Sequence, residues 1–325
     1  MSFQAIRGQA AAKRLLQSGL RNDTLSHAYI FSGPVGTGGY EMAIALAKAI
    51  YCKVFVDDSC GECLECRKVE HGNHPDLHIV QPEGASIKIE QIRELQKEFA
   101  YRATASETKI YILQQAEKMT VPAANSLLKF LEEPTSKVVA ILITENGNAL
   151  LPTIQSRAQW ISFNPMPRDE MIKSLLAEGH PAVLVQPAAH ITAGLAAARE
   201  LIGANWFAEM RNVMLQLAKE TLTRFPSSIV TIQQKLIKTE LADHISSLFD
   251  LLILWFKDMV QLRLGRRDNL VFTDQLDWMA ALASSREVLD WIRMMDQAVS
   301  LQKRLRFNAN PQLVIEKMLV DIQGV

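Results

Sequence analysis

Gly33-Pro34-Val35-Gly36-Thr37-Gly38-Gly39-Tyr40 follows a short apolar run, Ala28 to Phe31, and precedes a helical pattern that starts near Met42. This is the setting of a phosphate-binding loop, in which glycines let backbone N–H groups cradle phosphates. A working loop of the form GxxxxGK[ST] also needs a lysine that reaches the outer phosphates and a hydroxyl that ligates magnesium. Here Gly39 stands at the lysine position and Tyr40 at the hydroxyl position. The charge-assisted contact to phosphate is lost, and a phenol does not readily replace a small magnesium ligand. A second loss matches the first. An aspartate and a glutamate would usually follow the strand Ile110 to Leu113, but the chain has Gln114 and Gln115. Neutral amides hold magnesium weakly and cannot act as a base. Taken alone, the glycine run also suits a turn in an unrelated α/β protein. Two motifs degraded at matching places point instead to an ATPase fold that has lost its chemistry. Gly33, Gly36, Gly38 and Gly39 are then the remains of a phosphate loop that is not expected to support hydrolysis, with nucleotide binding left open.

The four cysteines of the chain, Cys52, Cys60, Cys63 and Cys66, read C-x7-C-x2-C-x2-C within one polar segment. Thiolates at this spacing can wrap one tetrahedral zinc, and such a metal supplies local folding energy. Four thiolates would leave no open coordination position, so a structural zinc is expected and a catalytic one is not. Buried thiols or a redox pair are the other uses of such a cluster. His71, His74 and His78 lie close by and are expected to serve loop or core.

These groups need elements to hold them. Ala10 to Leu20, Met42 to Tyr51, the segment carrying Ile89, Ile92, Leu95 and Phe99, and Ala123 to Glu132 read as helices. Ala28 to Phe31, Leu77 to Val80, Ile110 to Leu113 and Val138 to Thr144 read as strands. Strands alternating with helices predict a mostly parallel sheet over residues 1–165, with a cysteine insert at about 52–66. The pattern changes after Pro165. Residues 166–203 read as a small helical unit and residues 204–325 as helical almost throughout. Trp206, Trp255, Trp278 and Trp291 are core candidates there, with breaks at Pro226, Pro311 and Gly265 to Asn269.

Composition narrows the class. The 325 residues are 48% hydrophobic and 22% charged, which suits a globular chain of two or three domains. Lys+Arg and Asp+Glu both number 35. A protein that binds nucleic acid strongly by itself usually carries a basic excess, so protein partners are expected first and DNA through a shared assembly. The most apolar stretch, Leu248 to Val260, is interrupted by Asp250, Lys257 and Asp258 and does not read as a membrane span. With no long apolar run at the start of the chain, a cytoplasmic location is expected.

Seven segments then occur in a telling order. They are Ile6-Arg7-Gly8-Gln9, Leu25 to Tyr29, the glycine loop, the cysteine insert, Gly72 to Asp76, Ala124 to Pro134, and Leu151 to Arg157. In this order they resemble the delta-prime family of bacterial DNA polymerase III subunits and, more distantly, the gamma/tau motor subunits. Phe307 to Glu316 is similar to that family's last collar helix. The resemblance implies an AAA+ fold: an α/β domain over 1–165, a helical lid over 166–203, and a helical collar over 204–325 that joins subunits into a heteropentamer. It implies delta and gamma/tau subunits as partners, with the sliding clamp and primer–template DNA reached through the assembly. The implied task is to help load the clamp during replication without hydrolysing ATP.

The resemblance also assigns residues. Ser156-Arg157 stands where the family has Ser-Arg-Cys, with Ala158 in the cysteine's place. The arginine there reaches the ATP of a neighbouring subunit, as a guanidinium placed from outside can stabilise charge on a transferring phosphoryl group. An ordinary surface salt bridge is the other use of Arg157. Ala197 occupies the position of the lid arginine of ATP-hydrolysing relatives, and Arg199 lies half a turn away. Lys129 faces either DNA phosphates in the assembly or solvent. Two other readings remain: an active gamma/tau-like motor, which calls for the missing lysine and acidic pair, and a stand-alone zinc-containing nucleic-acid binder, against which the neutral charge speaks.

Overall fold

A computed structural model describes residues 2–100, 108–132, 137–305, 307 and 309–324. The side chains of Phe99 and Lys129, and the whole of Asn308, lie outside the described parts. The chain forms two compact units, residues 1–166 with 193–197, and residues 167–192 with 198–325.

The first unit is built on a five-stranded parallel sheet of order β2-β3-β4-β1-β5. The strands are β1 (Ala28–Ser32), β2 (Leu77–Val80), β3 (Thr108–Leu113), β4 (Lys137–Thr144) and β5 (Gln159–Ser162). Ala28 pairs with Ala140 on one side of β1, and Tyr29 pairs with Gln159 on the other. Helices α1 (Ala10–Arg21), α2 (Gly39–Tyr51), α3 (Leu64–Glu70), α4 (Ile89–Ala100), α5 (Val121–Glu132) and α6 (Pro152–Gln155) complete the unit.

Strand residues alternate between two cores, because successive side chains leave opposite faces of a sheet. Tyr29, Phe31, Ile110, Ile112, Val139 and Ile141 join Leu16 and Leu46 on one face. Ile30, Tyr111, Leu113, Ala140 and Leu142 join Ile92, Leu95 and Leu127 on the other. A parallel sheet covered on both faces explains why its strands read as near-continuous apolar runs. Each strand and long helix expected in this unit is present, within two or three residues of its expected ends. β5 escaped the pattern because only Ile161 of its four residues is buried.

The second unit is helical: α7 (Arg168–Ala177), α8 (Ala182–Ile191), α9 (Leu195–Gly203, whose first three residues belong to the first unit), α10 (Asn205–Thr223), α11 (Phe225–Thr231), α12 (Ile245–Arg263), α13 (Leu276–Ala283), α14 (Val288–Leu305) and α15 (Pro311–Gly324). Trp255 on α12 and Trp291 on α14 are fully buried, with ring centroids 5.8 Å apart. Trp206 and Trp278, expected in the core, are only partly buried. Each keeps one edge near solvent for a polar or stacking partner: Trp206 stacks on His244, and Trp278 donates its indole N–H to Gln275.

Candidate functional site

The glycine loop leaves β1 and enters α2 as its sequence context required. The Gly33 N–H donates to the Thr144 carbonyl at 3.0 Å, which fixes the loop's start to the end of β4. A β-carbon on Gly33 would stand 2.2 Å from the Phe163 carbonyl oxygen, so only glycine fits. Gly36 and Gly38 have φ of 84° and 95°, backbone that side chains disfavour. Gly39 is different. Its φ is not positive, and a β-carbon there would meet Ile143 at 3.5 Å, an ordinary contact. The local backbone therefore accepts a side chain where a lysine would sit.

Other donors near the loop are already engaged. The Thr37 hydroxyl donates to the Pro34 carbonyl at 2.8 Å, and the Thr37 carbonyl accepts from the Gln9 amide at 3.0 Å. The same amide reaches the Asn164 carbonyl at 2.7 Å. Gln9 thus ties the loop to the segment after β5. The sequence marked Gln9 only as the last residue of the Ile6 to Gln9 segment and not as a tie, because a glutamine at φ 52° with two backbone partners is a tertiary arrangement. Tyr40 is partly exposed, and burial followed by the Glu41 charge raises its pKa.

Gln114 and Gln115 follow β3, separated from β1 by one strand. Gln114 is half-buried and donates its backbone N–H to Val80, while Gln115 is exposed with φ 51°. The structure brings Ala197 to the loop as well: a β-carbon on Gly36 would lie 2.5 Å from the Ala197 Cβ. Arg199 is engaged in a two-pronged ion pair with Glu178 at 2.8 and 2.7 Å.

Arg157 is exposed, two residues before β5, and donates to the Thr153 carbonyl at 3.1 Å and to the Ser156 hydroxyl at 3.4 Å. Because Gln159 pairs with Tyr29 in parallel register, Arg157 stands at the edge of the sheet where β1 begins. The glycine loop stands where β1 ends. About five residues of strand separate them, roughly 16 Å.

Cys52 caps the end of α2, Cys63 precedes α3, and Cys66 lies buried within α3. The four sulfurs, with Cys60, all lie within 4.8 Å of one another. Backbone N–H groups of Val54, Phe55 and Cys60 point at the Cys52 sulfur, and that of Cys63 points at the Cys60 sulfur. Such donors favour thiolate. Burial opposes ionisation of Cys63, but the Cys66 and Lys53 N–H groups and neighbouring thiols bring its pKa down to about 6. Burial pushes Cys66 up to about 12. A divalent soft cation among the sulfurs would relieve that opposition, and the donor set and spacing fit tetrahedral zinc. The cluster and the glycine loop occupy opposite ends of α2, about 20 Å apart, so a metal here cannot serve a phosphate at the loop. Of the nearby histidines, His74 is buried, stacks on Tyr51 at 3.8 Å, and places Nε2 3.2 Å from the Glu65 carboxylate. Burial lowers its pKa. It is a core residue.

Residues 8–167 match the family described as DNA polymerase III, delta subunit. The delta' subunit of DNA polymerase III from Bacillus subtilis is 35% identical over 97% of this chain and 96% of its own length. The chain belongs to the delta' family of DNA polymerase III clamp-loader subunits. A further delta' relative, from Pseudomonas aeruginosa, is 39% identical over 41% of each chain. The tau subunit of Bacillus subtilis is a weaker match, 34% identical over 50% of this chain and 29% of its own. Membership in the delta' family makes this chain a component of the polymerase complex. Among the described residues no helix is long and apolar enough to cross a membrane.

Proposed function

We propose that this chain is the ATP-silent member of its clamp loader and lends Arg157 to the ATP of a neighbouring gamma/tau subunit. The place of Arg157 on the sheet supports this most directly. It is exposed at the end of the sheet opposite its own glycine loop, so it cannot reach a phosphate held there, and its exposure suits a phosphate held by another chain. A guanidinium supplied in trans stabilises the charge that develops on the transferring phosphoryl group.

The loop supports the other half of the proposal. Gly39 supplies no charge, Tyr40 no small magnesium ligand, Gln114 and Gln115 no carboxylate, and Ala197 no guanidinium, at the sequence positions where a hydrolysing relative would carry those groups. Losing one of these groups slows phosphoryl transfer, and losing all of them removes the electrostatic basis of catalysis. In this reading residues 1–165 form the nucleotide-type domain, 166–203 the lid and 204–325 the collar. The collar joins the chain to delta and gamma/tau subunits in a heteropentamer that acts on the sliding clamp and primer–template DNA in the cytoplasm. Cys52, Cys60, Cys63 and Cys66 hold a structural zinc.

The test is ATP turnover by the reconstituted loader with clamp and primed DNA. Arg157→Ala is expected to leave assembly intact and lower stimulated turnover on the order of a thousandfold per affected site. Unchanged turnover would remove the in-trans role. Turnover by the pure chain alone would remove the ATP-silent one.

A further inference from the structure

The neutral net charge of the chain conceals a strong local imbalance in the second unit. A cleft of about 1060 Å³ is enclosed by α7, α8, α12 and the segment 264–273. Arg168 and Lys173 enter it from α7, His190 from α8, Lys257 from α12, and Arg266 and Arg267 from the turn. Five permanent cations face two carboxylates, Asp169 and Asp268. Among the described residues none of the five has an ion-pair partner, whereas Arg199, Arg211, Arg263 and Arg293 are all paired. The N-terminus of α7 opens on the same cleft with no side-chain cap, adding its partial positive charge.

The turn that carries Arg266 and Arg267 is anchored on its far side. The buried Asp258 carboxylate accepts the N–H groups of Val271 and Phe272 at 2.8 and 2.9 Å. Buried Arg211 pairs with Asp274 and sits 5.5 Å from the Phe272 ring centre. Leu270, Val271 and Phe272 are themselves buried. The fold therefore holds five like charges around one cleft with only two carboxylates facing them and, among the described residues, no ion pair to any of the five. Such an arrangement is stable when a polyanion supplies the counter-charge.

The lining identifies the polyanion. Its one aromatic ring is the His190 imidazole, whose Nδ1 is engaged with the Gln186 carbonyl, so it offers no row of rings on which successive exposed bases could stack. Its apolar residues are limited to Pro167, Ile172 and Leu270, too few to anchor an acidic peptide. Three arginine forks and two lysines suit phosphate oxygens. We infer that this cleft binds the sugar–phosphate backbone of duplex DNA without reading its sequence. The inference goes beyond the loader reading and stands on the cleft alone.

The test is fluorescence anisotropy of a labelled duplex of about 30 base pairs titrated with the full chain between about 50 and 200 mM salt. The double charge reversal Arg266→Glu with Arg267→Glu is expected to weaken binding at least about tenfold at low salt and to flatten the log K against log salt slope by about 2. Lys173→Glu, on a helix and not the turn, is expected to weaken binding several-fold with an unchanged melting temperature. Absence of binding by the wild-type chain at low salt would overturn the inference. So would wild-type affinity and slope in both variants, or displacement of the duplex by polyglutamate at equal charge.

Discussion

Ala197 lies against Gly36 so closely that a β-carbon on Gly36 would come within 2.5 Å of its own. The residue that the resemblance sets at the lid-arginine position of ATP-hydrolysing relatives thus offers only a methyl group, packed against the tip of the glycine loop. A second contact packs the same loop tip, because a β-carbon on Gly194 would strike the Gly36 carbonyl oxygen at 2.0 Å. Gly36→Ala meets two obstacles, a φ of 84° and the Ala197 methyl. It is expected to destabilise the chain by about 1–3 kcal/mol, read as a fall in melting temperature. A melting temperature within error of wild type would show that the loop can move away from Ala197 freely.

The loop itself invites repair. Gly39 accepts a side chain sterically, so Gly39→Lys with Tyr40→Thr is expected to fold normally and to bind Mg-ATP more tightly than wild type. Turnover is expected to stay at background, because Gln114 and Gln115 still supply no carboxylate. Isothermal titration measures the first effect and phosphate release the second.

The cysteine cluster gives a metal-removal prediction. The purified chain is expected to carry one zinc, measured by mass spectrometry of metals. Cys60→Ser or a strong chelator is expected to release it, lower the melting temperature and expose residues 52–66 to protease. Metal binding supplies on the order of 10 kcal/mol in zinc-finger peptides, and the segment between α2 and α3 has few buried apolar side chains to replace it. Val54, Phe55 and Val56 are exposed. A metal-free chain with the same stability would instead mark the thiols as a packing cluster.

Asp258 sets a pH dependence. Burial raises its pKa from 3.8 to about 6, against the pull of the Phe272 and Val271 N–H groups. A carboxyl whose folded pKa is raised binds its proton more readily when folded. The stability this contributes is therefore fully present below about pH 4 and is lost as pH rises through about 6. A rise of that size corresponds to about 3 kcal/mol. Relative to Asp258→Asn, the wild-type chain is expected to lose stability between pH 4 and 6 by denaturant titration. Parallel curves over that range would rule the carboxyl out as the source.

Much of the candidate site was legible because it is local. A phosphate loop is one strand, one turn and one helix start, so Gly33 to Tyr40 revealed both its geometry and its missing groups. The C-x7-C-x2-C-x2-C run could be read as one cluster because cysteines separated by two residues sit on a single turn of chain, the spacing of a tetrahedral thiolate site. What distance in sequence hides was not legible. Gln9 reaches Thr37 and Asn164, Ala197 reaches Gly36, and β5 has too little apolar pattern to announce itself.

The sequence by itself determined that this chain has a parallel sheet, a glycine loop with Gly39 and Tyr40 in place of a lysine and a small hydroxyl, and a sulfur cluster suited to metal. Each of these depends on residue type and short spacing. Only the tertiary structure decided that Arg157 stands at the opposite end of the sheet from the loop, because the register of β5 on β1 joins residues more than a hundred positions apart. Only the structure gathered Arg168, Lys173, Lys257, Arg266 and Arg267 around one cleft. Net charge sums over the whole chain and is blind to where folding places each charge.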